Sequence, residues 1–444
     1  MGKLEEVKNG DLYYYGYNLH EIAKKFGTPL KVTFLDLIKD RVLNLKEAFD
    51  LAIKELGYEG KFMYLNANKA NYGAEEIETA FVYADGIETS SYYDLILSHK
   101  MFERHPNFKS IKPIVSNGFK PKDYLDKIIE VHNEGYHIID VIDSMDEYEY
   151  LKSKNVDLEI GLRIHLKSLY LEGEDDPVAN DRFGLTRDEF LKIIDDLANT
   201  KMKLSIIHFH QRGFDYEKDK FEKNFAKTFE DYYVYAQKKY ITVEYFDMGG
   251  GTPLPFDKEF DYKSWAKYVV GLLKKMSNKF DVKEPTLISE NGKYTQKDAT
   301  VNLYRVVGVK DTDTYPWYIV DGSPLIAMPE TYALGEVIIV KPVNALDKDK
   351  IKGRLAGLTC DCDDIYYDKK TGYFEFPNSK EIYIGLLGTG SYQNSMNGKG
   401  GIHHCLLPEE RDVIVYKDEN GNVVQKVRHE LQSMEDIYRL MKLK

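Results

Sequence analysis

Four stretches of the chain set reactive or ligating side chains where a short apolar run gives way to small or polar residues. The first is Asn66-Ala67-Asn68-Lys69-Ala70-Asn71, following KFMYLNA. A lysine among small and amide residues at a strand end is partly desolvated. Its pKa then falls and its amine becomes a nucleophile toward aldehydes. Taken alone, a lysine is far more often a solvated surface charge. The second stretch is Asp247-Met248-Gly249-Gly250-Gly251. Three glycines let backbone N–H groups converge on an anion without Cβ obstruction, and a following helix N-terminus favours phosphate. A tight turn without a ligand is the plain alternative. The third stretch, Ser289-Glu290-Asn291-Gly292-Lys293, offers a carboxylate that can bind a pyridinium N–H and keep that nitrogen protonated. The fourth is His208-Phe209-His210. Strand alternation is read here as sending only one of the two histidines into a shared mouth. His210, at the strand end, is the candidate to cover a planar ring. His208 reads as a core histidine with a satisfied hydrogen bond.

Together these stretches supply an aldehyde-capturing lysine, a phosphate loop, a carboxylate and a planar ring partner. Pyridoxal 5'-phosphate demands all four, and few other cofactors do. A further group could act beside it. Cys360 is a thiol able to donate a proton near neutral pH. A lone cysteine is ordinarily a small buried hydrophobe, but the neighbours Asp361, Cys362, Asp363 and Asp364 argue against burial here. Cys360 and Cys362 lack further Cys or His at ligand spacing, so no metal is expected. Asp361, Asp363 and Asp321, the last in WYIVDG, would set negative charge near a cationic substrate tail. A solvated acidic loop is the alternative reading.

These residues need strands to position them. From Lys61 to Ile288 the runs KFMYLNA, DGIETSS, PIVSNG, YHIIDVIDS, LEIGLRIH, LSIIHFH, VEYFDMGGG and TLISENG alternate with amphipathic stretches of helical length. Eight parallel β-α units are the number that closes a (β/α)8 barrel, whose active site lies at the C-terminal strand ends. A doubly wound open sheet is the alternative. After about Tyr294 the runs ATVNLYRVVGVK, WYIVDG, EVIIVKPV, YFEFP, IYIGLLG and DVIVYK follow one another without long helices. The expectation is an α/β chain. Residues 1–45 form a segment packing with the β domain, residues 46–293 the cofactor-binding barrel, and residues 294–444 a mainly antiparallel β domain.

Composition narrows the classes. The chain has 444 residues, 43% hydrophobic and 30% charged, so it can bury substantial cores. Its formal charge of −12, without a basic block, disfavours a nucleic-acid partner. No apolar run approaches the roughly 18 residues of a membrane span, and MGKLEEVKNG lacks a signal-peptide pattern. Three cysteines fit a reducing compartment rather than a disulfide framework. A cytoplasmic location is expected.

The motifs and their order resemble the pyridoxal-phosphate decarboxylases of the alanine racemase-like fold (fold type III), the group of ornithine, arginine and diaminopimelate decarboxylases. They run from Lys69 through the glycine loop and Glu290 to Thr359-Cys360-Asp361 and Gly390-Ser391-Tyr392. The resemblance implies that Lys69 captures the cofactor aldehyde, His210 stacks on the ring, and Gly249 to Gly251 bind phosphate with help from Tyr392. It further implies that Glu290 meets the ring nitrogen and that Cys360 protonates the substrate carbanion across a homodimer interface. Ser116-Asn117-Gly118-Phe119-Lys120, Leu358 to Asp363, Ser391-Tyr392-Gln393 and the stretch from Asp321 to Leu334 look most like biosynthetic arginine decarboxylase. The implied reaction is decarboxylation of a basic amino acid, L-arginine to agmatine first, in polyamine synthesis. Ornithine, lysine of either hand, diaminopimelate and carboxynorspermidine remain alternatives, as do a racemase and a non-catalytic regulator. Two departures stand out. Glu290-Asn291-Gly292-Lys293 lacks the arginine of the diaminopimelate enzymes, and Gln211-Arg212-Gly213 replaces the usual Gly-Ser pair. Residues 165–181 read as a mobile loop at the barrel mouth.

Overall fold

The computed structural model describes residues 4–166, 182–211, 218–239, 243–254 and 260–443. Two compact units emerge: residues 41–69 with 77–294, and residues 1–40 with 70–76 and 295–444.

In the first unit, eight parallel strands close into a barrel. In chain order they are Phe62–Ala67, Gly86–Thr89, Ile114–Ser116, Ile138–Ile142, Glu159–Arg163, Lys203–His208, Tyr245–Asp247 and Thr286–Asn291, called strands one to eight below. Strand eight pairs with strand one through Leu287–Phe62 to Asn291–Asn66. The eight apolar runs read from the sequence are these eight strands.

Period-two alternation then sorts the side chains. Leu65, Val115, Ile139, Val141, Ile206 and Ile288 form one buried cluster contributed by strands alone, which fills the barrel. Tyr64, Ile87, Ile142, Ile207, Phe246 and Leu287 join a larger cluster with the surrounding helices. The helices start where the sequence offers caps. Ser91, Ser144 and Thr186 accept the backbone N–H groups of Asp94, Glu147 and Glu189, each three residues on.

The second unit is built on a large sheet. Its central strand, Thr300–Lys310, pairs antiparallel with Leu30–Phe34, Trp317–Val320 and Tyr383–Leu387. Arg411–Lys417 pairs antiparallel with Val423–His429. Two pairings are parallel, Leu30–Phe34 with Arg411–Lys417 and Trp317–Val320 with Lys350–Ala356. The domain is mainly antiparallel, as expected. A charge cluster is buried within it. Asp412 lies 3.4 Å from Lys31, 3.0 Å from Lys399 and 2.8 Å from Arg428, and Arg428 also pairs with Glu75 and Glu76. Among the described residues no helix is long and apolar enough to cross a membrane.

Candidate active site

Alternation that places Ile288, Val115 and Ile206 inside the barrel carries Glu290, Asn117 and His208 to the same side two residues on. Glu88 follows the helix-facing Ile87 and so faces inward as well. These groups meet. Lys69, in a single 3-10 turn directly after strand one, places Nζ 2.9 Å from both oxygens of Glu88. The Asn117 amide donates to Glu88 Oε1 at 3.3 Å and to Glu290 Oε1 at 2.6 Å. One side-chain network therefore joins the lysine of strand one to the carboxylate of strand eight.

The glycine turn is fixed against that carboxylate. Gly249 donates its N–H to Asp247 Oδ1 at 2.8 Å, and its carbonyl accepts from the Glu290 N–H at 2.9 Å. Gly250 donates to His210 Nδ1 at 3.2 Å. Gly249 has φ +69, and a Cβ there would lie 2.5 Å from His210 Nδ1. A Cβ on Gly250 would lie 2.7 Å from the Glu290 carbonyl oxygen. The close approach leaves no room for a side chain at either position.

Burial sets the protonation of the cluster. It pushes Glu290 up to about 6, with Glu88 adding to the rise and Lys69 opposing it. It also raises Asp247 well above the ordinary carboxylate value, with the Glu290 charge next. His208 is driven well below its ordinary value by burial and then by the positive charge of Arg163, so its ring is neutral.

The histidines depart from the sequence reading in two ways. Residues two apart on a strand share a face, so alternation does not separate His208 from His210. Phe209 is the one sent outward, into the helix-facing cluster. His208 is buried, but its ring nitrogens have no hydrogen-bond partner among the described residues, and Nε2 stands 3.9 Å from Glu290. It is not a satisfied core histidine.

The remaining candidates lie in the β unit. Cys360, Cys362 and Asp363 are exposed and Asp361 is partly so, as the acidic run suggested. Asp364 is the exception. It is 2% exposed and accepts from Ser323 Oγ, Leu325 N, Thr359 N and Thr359 Oγ1, four donors that compensate its burial. Asp361 accepts from Asp363 N–H at 2.9 Å and lies 3.1 Å from His404 Nε2. Asp321 already accepts from Thr28 Oγ1 and Arg305 N–H, and burial raises its pKa. Tyr392, with φ +63, donates its backbone N–H to the Ala70 carbonyl at 2.7 Å. Gly251 lies in the glycine turn with φ +96. Arg212 and residues 167–181 of the suggested loop lie outside the described residues.

Sequence reasoning missed Glu88 and did not give Asn117 a role of its own. A signal for Glu88 existed: DGIETSS carries a carboxylate inside a strand otherwise buried on both faces. Arg163, at the end of strand five, was missed too. It stands 3.9 Å from Asp143, and its guanidinium lies 4.4 Å over the Phe183 ring.

Comparison with known proteins finds similarity in the barrel. Residues 105–297 match the family model described as pyridoxal-dependent decarboxylase, pyridoxal binding domain. The matched stretch takes in barrel strands three to eight and is similar to that domain. A biosynthetic arginine decarboxylase of Prochlorococcus marinus is 26% identical over 306 residues, 64% of this chain and 46% of that protein. The chain thus spans about half the length of the curated relatives it matches. The crystal structure of the biosynthetic arginine decarboxylase from Campylobacter jejuni superposes with a TM-score of 0.85 at 18% identity, covering 99% of this chain and 89% of that one. Diaminopimelate decarboxylase from M. jannaschii gives 0.81 at 21% identity, covering 98% and 97%. At these identities the two structures establish the shared fold.

The cofactor implied is pyridoxal phosphate, and the strand ends fit it. Both nitrogens of His208, Asp247 Oδ2, Asn66 Oδ1 and Asn117 Oδ1 are buried polar atoms without a hydrogen-bond partner among the described residues. Such atoms ask for a polar ligand. A lysine nucleophile, a carboxylate and a glycine turn free of Cβ atoms stand beside them. His208, Asp247 and Glu290 also bring ligand atoms within 4.8 Å of one another, close enough for a metal ion. Pyridoxal phosphate accounts in addition for Lys69 and the glycine turn.

Proposed function

We propose that the chain is a pyridoxal-phosphate-dependent decarboxylase of a basic amino acid, converting L-arginine to agmatine and CO2 for polyamine synthesis. The observation that carries this reading is the network Lys69–Glu88–Asn117–Glu290 beside the glycine turn. When bound, pyridoxal phosphate supplies the conjugated ring that takes up the electron pair left by CO2. The chain's own groups do the rest. Lys69 would be the residue that holds the cofactor at its aldehyde, with Glu88 keeping the amine in place. Glu290 would hold the ring nitrogen, and Asp247, raised by burial, would stand beside it with the neutral His208. His210 covers one ring face. Gly249, Gly250 and Gly251, with Tyr392, bind the phosphate. The Cys360 thiol gives its proton to the substrate carbon. Asp361 and Asp363 draw the cationic tail, with Asp321 contributing charge from behind its two hydrogen bonds.

The curated relatives support arginine as substrate. A second reading, meso-diaminopimelate, is supported by the M. jannaschii structure, which matches over 97% of its own length. Release of CO2 from cofactor-loaded protein should be measured against L-arginine, L-ornithine, L- and D-lysine, D-ornithine and meso-diaminopimelate. Strong preference for L-arginine is expected. Turnover of another member moves the specificity and keeps the chemistry. A visible absorption band that is absent from Lys69→Ala tests the cofactor linkage independently of substrate.

We place the enzyme in the cytoplasm as a homodimer, the barrel of residues 46–293 acting as cofactor-binding domain and Cys360 serving the partner's site. Inactive Lys69→Ala and Cys360→Ala proteins should then regain activity when unfolded and refolded together. Absence of recovery, with dimers present, would return Cys360 to its own subunit.

A further inference from the structure

Cys360 and Cys405 are separated by 45 residues in the chain, yet their sulfur atoms lie 3.4 Å apart. The Cys360 N–H also donates to Cys405 Sγ at 3.3 Å. Both residues are exposed. The two loops are tied a second time, through His404 Nε2 and Asp361 Oδ2 at 3.1 Å. On the far loop, Cys405 and Leu406 adopt φ +56 and +53 and turn the thiol toward Cys360. Nothing lies within 4 Å of a Cβ placed on Gly398, Gly400 or Gly401, so that loop has space to adjust. Among the described residues, no third Cys, His, Asp or Glu ligand atom lies within 4.8 Å of both sulfurs. A metal site is therefore not the use of this pair.

We propose that Cys360 and Cys405 form a reversible disulfide, a modification site that withdraws the Cys360 thiol. A disulfide bond is about 2.0 Å long. The sulfurs need only close the remaining gap by side-chain rotation and a small loop adjustment. The oxidant is a low-molecular-weight disulfide such as oxidised glutathione. One protein thiolate attacks it, forming a mixed disulfide and expelling one thiol. The second protein thiol gives up its proton and displaces the second small thiol. Two protein thiols are oxidised, and one small disulfide is reduced to two thiols. Cys362 is left free: it is exposed, and a bond to Cys360 two residues away would close a strained ring.

The cross-link stands on geometry alone, whereas its effect on turnover rests on the reading of Cys360 as proton donor. The cofactor-loaded protein should be equilibrated with glutathione buffers of rising oxidised fraction, acid-quenched, alkylated and mapped by mass spectrometry. The expected result is loss of two hydrogens and a peptide joining Cys360 to Cys405, with Cys362 alkylated. CO2 release should fall by about 10-fold or more in step with it, as for loss of a general acid, and return with dithiothreitol. Cys405→Ser should show full activity under reducing conditions and no cross-link under oxidising ones. Stable glutathione adducts on wild-type Cys360 or Cys405, or a cross-link through Cys362, would overturn the proposal. Full CO2 release from the cross-linked protein would overturn the switch and remove Cys360 from the reaction, while the cross-link itself stood.

Discussion

Glu290 sits among buried carboxylates, and those neighbours rather than solvent set its titration. Burial and the Glu88 charge move it up to about 6 from an ordinary value of 4.5. The folded cofactor-free protein therefore holds this proton more tightly than the unfolded chain. The stability this group contributes is full below pH 4.5, declines as pH rises through about 6 and is gone above it. Glu290→Gln removes the titration. Melting temperatures of cofactor-free wild type and variant should diverge between pH 4.5 and 6.5, with the wild type falling further. With Glu290 in its proposed role as the anionic partner of the ring nitrogen, the same variant in cofactor-loaded form should lose about 10²-fold or more in turnover. Glu88→Gln keeps the Asn117 contact but removes the charge beside Lys69. Cofactor affinity, read from the visible band, should fall about 10-fold, and the pH profile of cofactor capture should move. Lys69, the glycines, His210 and Glu290 stand out in the sequence as candidates because each joins a reactive or ligating type to a strand-end position. Glu88 was not, because a carboxylate inside an apolar strand carries no motif of its own. Asp364 and His208 went astray for a shared reason. Whether a polar group has partners depends on chain segments far away, and residues two apart on a strand, as His208 and His210 are, share a face.

Strand ends are what turn these residues into a cluster. The glycine turn after strand seven is held on one side by Asp247 and on the other by the backbone of strand eight. Gly249→Ala must accept a left-handed backbone and a Cβ 2.5 Å from His210. The expected loss is about 1–3 kcal/mol, measured by chemical unfolding. Gly250→Ala presses on the Glu290 carbonyl, so it should cost cofactor affinity more than stability. All eight barrel strands were legible, because parallel strands covered on both faces read as short continuous apolar runs. Lys350–Ala356 and Val423–His429 escaped. KIKGRLA and VVQKVRH are half-exposed, and lysines occupy their open faces, so their hydrophobicity never stands out.

Across the whole chain, distant segments converge on Asp412. Lys31, Lys399 and Arg428 hold its carboxyl far below the usual carboxylate range despite its burial. That contribution is present above the ordinary carboxylate value and is lost as the pH falls below it. Arg428→Met would leave Asp412 and Glu76 buried with too little positive charge. The expected cost is about 3–5 kcal/mol, read by urea unfolding at neutral pH, and smaller in acid. Nothing in the sequence pointed to this cluster, since Lys31, Glu76, Lys399, Asp412 and Arg428 share no motif or local pattern. The Leu30–Phe34 strand shows the same long reach in another form, pairing with Thr300–Lys310 and Arg411–Lys417. During synthesis, that strand emerges from the ribosome 300 − 34 = 266 residues before the first of those partners. At about 5–20 residues per second it waits roughly 13–53 s for a neighbour. The barrel strands between them have all been made by then. Until the closing strand arrives, the nascent chain offers an apolar edge that a chaperone must shield or another chain can seize.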